Sequence, residues 1–231
     1  MRLIWSIVGI VVATAICAIF SDFIVNRILL APAIHSNPPL KIQNLKPYGQ
    51  MVLYMEIVLV AGLILSIPNT LYHVWKFIEP ALYPHERKYI GWIVFFSSFS
   101  FLLGGAFAYF VLLPNAFRFF ATFGSEFIEN RIDVQSYFGF ITGIILACGI
   151  IFELPMLSYF LAKIGILSAE FLRKYRKQAV VVILIVTAAI TPPDVLSWIM
   201  MTIPVYLLYE VSILVVHVTR AKKRKREEAT A

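Results

Sequence analysis

Apolar residues gather into six runs, at residues 3–20, 51–72, 89–113, 137–161, 179–190 and 195–216, and charged or proline-rich stretches separate most of them. At ~1.5 Å per helical residue, runs of this length match a hydrocarbon core of ~30 Å, the fifth excepted. A lone span in lipid must satisfy its own backbone hydrogen bonds, so each run is expected to be an α-helix. The predicted fold is an all-α membrane protein with six transmembrane helices, the fifth and sixth of them short. The fifth covers only ~18 Å at helical rise. Thr191-Pro192-Pro193-Asp194 follows it and enforces a turn, because neither proline can donate to a helix and Pro193 disfavours helical backbone before it. The sixth run meets Glu210 15 residues after it begins. Two short neighbours imply a thinned membrane or a cavity open to water; a tilted hairpin with snorkelling charged ends is the alternative.

Basic residues then orient the chain. Fifteen of the 20 Lys and Arg fall at the two termini and in the second-to-third and fourth-to-fifth connections, against five in the remaining connections. This bias predicts cytoplasmic termini, N-in and C-in. Residues 1–217 form the expected single transmembrane domain, and residues 218–231, with Lys222-Lys223-Arg224-Lys225-Arg226, form a basic cytoplasmic tail. Arg2, a short apolar stretch and Ala13-Thr14-Ala15 also fit a cleavable signal peptide. Apolar character runs on through Phe20, which favours a retained first helix.

Composition sharpens the exclusion. At 60% hydrophobic and 14% charged, with a strongly positive mean hydropathy, the chain is not a soluble enzyme, a secreted disulfide scaffold or a disordered tail. The net charge of +7 reads as topology rather than nucleic-acid binding, because its residues lie between spans. Cys17 and Cys148 stand singly inside apolar runs, as small core residues do. In the fourth-to-fifth connection, Ser168 is placed to cap a helix that Leu167 and Leu172 staple.

Catalytic signatures are weak. His85-Glu86 opens like a zinc-protease motif, but Tyr89 stands where the second histidine belongs. No phosphate loop or nucleophile elbow occurs, and no metal or cofactor is expected. Acid inside the membrane is the sharper signal. Glu153 lies eight residues from the end of the fourth run, about 12 Å inside at helical rise. A charged acid at a span's centre costs roughly 2.5 to 3.5 kcal/mol on insertion scales, so solvation, pairing or neutralisation is required. Pro155 removes a backbone donor beside it and so supports a cavity; a protonated carboxyl hydrogen-bonded within the bundle is the plainer alternative. A second cluster, Trp75-Lys76-Phe77-Ile78-Glu79-Pro80-Ala81-Leu82-Tyr83-Pro84-His85-Glu86-Arg87-Lys88, mixes aromatics, stiff prolines and two acids. Carboxylates accept paired bonds from guanidinium groups, so this segment suits a cationic peptide. Its acids are equally suited to neutralising Arg87 and Lys88.

The stretch from Phe77 to Lys88 resembles the TatC family, subunits of the twin-arginine protein translocase. So do Tyr109-Phe110 with Pro114 and Ala116, then Phe152-Glu153-Leu154-Pro155, then Thr191-Pro192-Pro193-Asp194-Val195-Leu196-Ser197 with Pro204 and Tyr209-Glu210. The resemblance implies a curved, cup-like bundle in the inner membrane and a receptor for signal peptides carrying paired arginines. It places Glu86 against the guanidinium groups, Phe77 and Tyr83 on the same surface, and Glu153 with Pro155 inside the concave face. Thr191, Pro192, Pro193, Asp194 and Ser197 would form a periplasmic turn and partner contact. TatA- and TatB-type single-span subunits would pack on the fifth and sixth helices within a larger complex, probed by membrane lipid and driven by the proton gradient; homo-oligomers are implied, nucleic acid and catalysis are not. Three departures stand out. The family's stretch resembling H-L-x-E-L-R-x-R before the first helix is reduced here to Arg2, so Glu79 is the candidate second carboxylate. Trp198 stands where the family commonly has Gln, and Glu56 has no assigned role. A proton-coupled small-solute transporter using Glu153 is the competing reading, against which the unequal spans argue.

Overall fold

The structure is a computed structural model that describes residues 2–34, 36, 39–78, 90–123 and 131–230, with backbone alone for residues 2, 3, 78 and 222–230. Helix α1 (Arg2–Ile19) turns by 73° at Phe20 into α2 (Ser21–Ile34). Helix α3 (Gly49–Leu65) likewise bends by 54° into α4 (Ile67–Ile78). Pro68, lacking an N–H, leaves the Ile64 carbonyl without its helical donor, and the Ser66 hydroxyl donates to the Leu63 carbonyl at 2.9 Å in the break. The second apolar run is therefore two helices rather than one.

Helix α5 (Ile90–Thr122) widens to a π-helical turn over Ala108–Leu112. The turn precedes Pro114, whose missing donor upsets the regular ladder. The helix then continues nine residues beyond the 113 expected from the apolar run, carried by Phe117 and Ala116 on its buried face. Helix α6 (Val134–Lys163) starts at Asp133, whose carboxylate accepts the Ser136 N–H at 3.3 Å. It is interrupted at Glu153, just before Pro155. Helices α7 (Ala169–Lys174), α8 (Arg176–Ile190) and α9 (Val195–Thr230) complete the fold. Ser168 caps α7 by accepting the Phe171 N–H at 3.1 Å. Helix α9 passes 216 without a break because its last turns are rich in Ala, Lys, Arg and Glu, all strong helix formers.

Among the described residues, three helices, Ile90–Thr122, Val134–Lys163 and Val195–Ala221, are long and apolar enough to cross a bilayer, and up to five spans result if each bent pair counts once. Helix α8, at 15 residues, reaches only ~22 Å. The core gathers at one end of the bundle, where Tyr137, Phe117, Phe138, Leu112 and Leu113 are almost wholly buried. Tyr137 stacks on Phe117 at 4.9 Å between centroids and donates its hydroxyl to the Leu29 carbonyl at 2.9 Å. A short parallel pair closes that end, strand β1 (Lys41–Gln43) beside β2 (Arg131–Asp133), in register Lys41 with Arg131. Trp92, Phe95 and Phe99 on α5 point outward, as residues facing acyl chains do.

Candidate functional site

Helices α5 and α6 meet through small residues. A Cβ on Gly104 would stand 2.6 Å from the Cys148 carbonyl oxygen, and one on Gly149 would stand 2.6 Å from the Phe101 ring. These close approaches run antiparallel, so the next contact along the pair brings Ser97 to Glu153. The fully buried Ser97 donates its hydroxyl to Glu153 Oε2. The second oxygen, Oε1, is buried with no hydrogen-bond partner, as is the Ser98 hydroxyl. An acceptor enclosed in this way retains an unmet demand for a donor. Glu153 itself sits at the break in α6, where its N–H turns back to the Ile150 carbonyl at 3.1 Å. Pro155 is the second residue of the next segment, so proline chemistry opens the helix at the carboxyl group.

The proposed peptide-facing residues divide. Phe77 is strongly exposed near the end of α4, while Trp75 two residues earlier is buried and meets Phe160 edge-on at 5.6 Å. Helix α1 packs antiparallel on α3 and α4, with Thr14 against Gly62 and Gly9 against Asn69. Arg2, at the start of α1, therefore lies at the same end as Phe77. Glu79, Tyr83 and Glu86 lie outside the described residues.

At the far end the Pro-Pro turn is built from local bonds. Thr191 is extended and its hydroxyl donates to the Thr187 carbonyl at 2.8 Å. Asp194 N–H donates to the Pro192 carbonyl at 2.7 Å. The Asp194 carboxylate accepts the N–H groups of Leu196 at 2.9 Å and Ser197 at 3.0 Å, capping α9. Ser197 is buried, its hydroxyl without a partner. Glu153 and this turn are thus separate features, on the α5–α6 seam and the α8–α9 hairpin respectively.

Besides Ser97 against Glu153, two arrangements were not legible in the sequence. Glu210, which interrupts the sixth apolar run, meets Arg176 Nη2 at 2.8 Å and accepts the Tyr206 hydroxyl at 2.9 Å. The partners are 34 positions apart, and the chain between them carries no signal that would have paired them. Trp198 also turns inward: its indole N–H donates to the Leu184 carbonyl at 3.0 Å and to Thr187 Oγ1 at 3.1 Å. Thr187 Oγ1 in turn lies 3.0 Å from Thr202 Oγ1, so one indole ties α8 to α9.

The family model described as "Sec-independent protein translocase protein (TatC)" matches residues 1–204. The chain belongs to the TatC family. It is 42% identical over 184 residues to the Sec-independent protein translocase protein TatC of Helicobacter pylori (strain J99 / ATCC 700824), covering 80% of this chain and 74% of that protein. It is 34% identical over 230 residues to that of Aquifex aeolicus (strain VF5), covering 99% and 95%. A solved structure entitled "Crystal Structure of Twin Arginine Translocase Receptor- TatC" superposes with a TM-score of 0.80 at 35% identity over 95% of this chain and 96% of that one. The TatC family consists of membrane-embedded transport proteins, and the apolar helices above fit that setting.

Within a TatC-family hairpin the inward indole gives a direct test. Trp198→Phe keeps an aromatic ring, though a smaller one, and removes the shared donor, so unfolding in detergent is expected to become easier by about 1 kcal/mol or more. An unchanged melting temperature would show that the indole N–H contributes nothing to the hairpin.

Proposed function

We propose that this chain is the receptor core of a twin-arginine translocase, exporting folded proteins on the proton motive force. The observation that carries the reading is the family match over residues 1–204, joined to a TM-score of 0.80 against a solved twin-arginine translocase receptor. In this reading six spans form a cup in the inner membrane with both termini in the cytoplasm: the two bent pairs, α5, α6, the short α8 and α9. Residues 1–217 make up the membrane domain and 218–231 the basic tail. Glu86, with Glu79, Phe77, Tyr83 and Arg2, receives the paired arginines at the cytoplasmic rim. Paired guanidinium groups favour carboxylates because each can supply two parallel charge-assisted bonds.

Glu153, beside Pro155, acts after capture, offering its unpartnered oxygen to a donor that arrives in the membrane. Thr191, Pro192, Pro193, Asp194 and Ser197 shape the periplasmic turn, and single-span TatA- and TatB-type subunits pack along α8 and α9. Several copies work together in the complex. None of the relatives supports a small-solute transporter.

Crosslinking tests the reading. A labelled signal peptide with paired arginines is expected to crosslink to the chain reconstituted with its single-span partners, and the paired-lysine peptide at least tenfold less. Equal yields from the two peptides would remove the receptor assignment.

A further inference from the structure

The segment joining α6 to α8 combines exposed apolar side chains with exposed cations. Ile166, Phe171 and Tyr175 are 73%, 53% and 40% exposed. Phe171 and Tyr175 lie 4.7 Å apart between ring centroids, and the Lys174 ammonium stands 5.7 Å from the Tyr175 ring centre. Arg173 and Lys177, on the same connection, are exposed as well. Water alone gives no reason to display an isoleucine and two aromatic rings together. An interface does, because aromatic side chains with a polar end, and cations on long stems, sit where acyl chains meet headgroups.

The segment is also held rigidly. Arg220 Nη2 on α9 donates to the Gly165 carbonyl at 2.7 Å, and the Tyr209 hydroxyl donates to the Leu172 carbonyl at 2.7 Å. Ala162 and Ala169 pack with Ile213 and Val216 beneath it. Between residues 162 and 178 the sequence carries five basic residues and one acid, Glu170. Glu170 is held below the usual carboxylate range by hydrogen bonds from its own backbone N–H and from Ser168, with Arg220 and Arg173 adding to the effect. Arg176 is engaged by Glu210. That leaves Arg173, Lys174 and Lys177 exposed on a connection tied to α9, the same connection that displays the apolar side chains.

We propose that this connection is a binding site for anionic phospholipid of the bilayer, with Arg173, Lys174 and Lys177 taking the phosphate-bearing headgroup and Ile166, Phe171 and Tyr175 seated among the upper acyl carbons. The charge complementarity commits it to anionic lipid, and the apolar group commits it to a bilayer rather than soluble phosphate. The site goes beyond the receptor reading and does not depend on it.

The test uses the full chain purified in a non-ionic detergent, with its melting temperature followed as phosphatidylglycerol, phosphatidylcholine or inorganic phosphate is added. Phosphatidylglycerol is expected to raise the melting temperature, and the other two to leave it in place. The Arg173→Gln/Lys174→Gln/Lys177→Gln variant should need at least tenfold more phosphatidylglycerol for half the effect, since each surface cation contributes to anionic-lipid binding. A variant with Lys222, Lys223 and Lys225 changed to Gln should raise the half-effect concentration less than the connection variant does. Should the triple variant not fold, Lys177→Gln alone should raise the half-effect concentration about threefold, and Lys177→Arg should restore it. An equal response of the cation variants, an equal effect of phosphatidylcholine or phosphate, or loss confined to the tail variant would overturn the proposal.

Discussion

Glu86→Gln is expected to weaken capture of a paired-arginine peptide by roughly a hundredfold, while Glu153→Ala leaves capture within about twofold and blocks export. The first figure follows from losing a carboxylate that accepts charge-assisted bonds, each worth ~1.5 to 3 kcal/mol, from a guanidinium pair. The second follows from position. Glu153 is tucked between α5 and α6 with Ser97 on one oxygen, whereas the capture surface is proposed at the rim beside Phe77. Peptide affinity and export of a folded passenger, measured on the same two reconstituted variants, separate the steps. Equal loss of affinity in both would end the division of labour proposed for these acids. Glu79→Gln belongs in the same series, because a carboxylate that pairs with the second arginine must lose affinity when neutralised.

A second large effect is expected at the seam between α5 and α6. Gly104→Val should lower stability by about 1 to 3 kcal/mol or more, the usual cost of overfilling a packed interior. The obstacle is backbone as well as side chain: the Cys148 carbonyl oxygen and carbon stand 2.6 and 2.9 Å from where a Cβ would sit, with Phe152 Cβ also at 2.9 Å. Helices meeting in lipid depend on such small residues for close approach. Separating them would also draw Ser97 away from Glu153, so export should fall along with stability. Gly139→Ala is the control on the same helix α6, since nothing lies within 4 Å of its Cβ position. The melting temperature in detergent should drop by several degrees for Gly104→Val and remain near its starting value for Gly139→Ala. Similar values for the two would show that the seam is not the limiting contact.

Glu153 shows how far local reading reaches. The break beside it at Pro155 was legible in the order of residues, because the missing proline donor is a property of the chain itself. The Pro-Pro turn was legible for the same reason, and so was the cap at Ser168. Ser97 as the partner of Glu153 was not, being 56 residues away. Neither was Arg176 opposite Glu210, nor the inward turn of Trp198. The bend at Ser66 escaped the hydrophobic pattern because both halves of that run are apolar, although Pro68 marked the place.

The amino-acid order by itself determined that this chain is helical, bilayer-seeking and broken at particular prolines, since each of these depends on a residue and its near neighbours. Only the tertiary structure decided which helix faces which, and at what height. That register is set where small residues on one helix admit the backbone or rings of another, as Gly104 does for Cys148 and Gly62 for Thr14, and such complementarity between distant segments has no periodic trace along the chain.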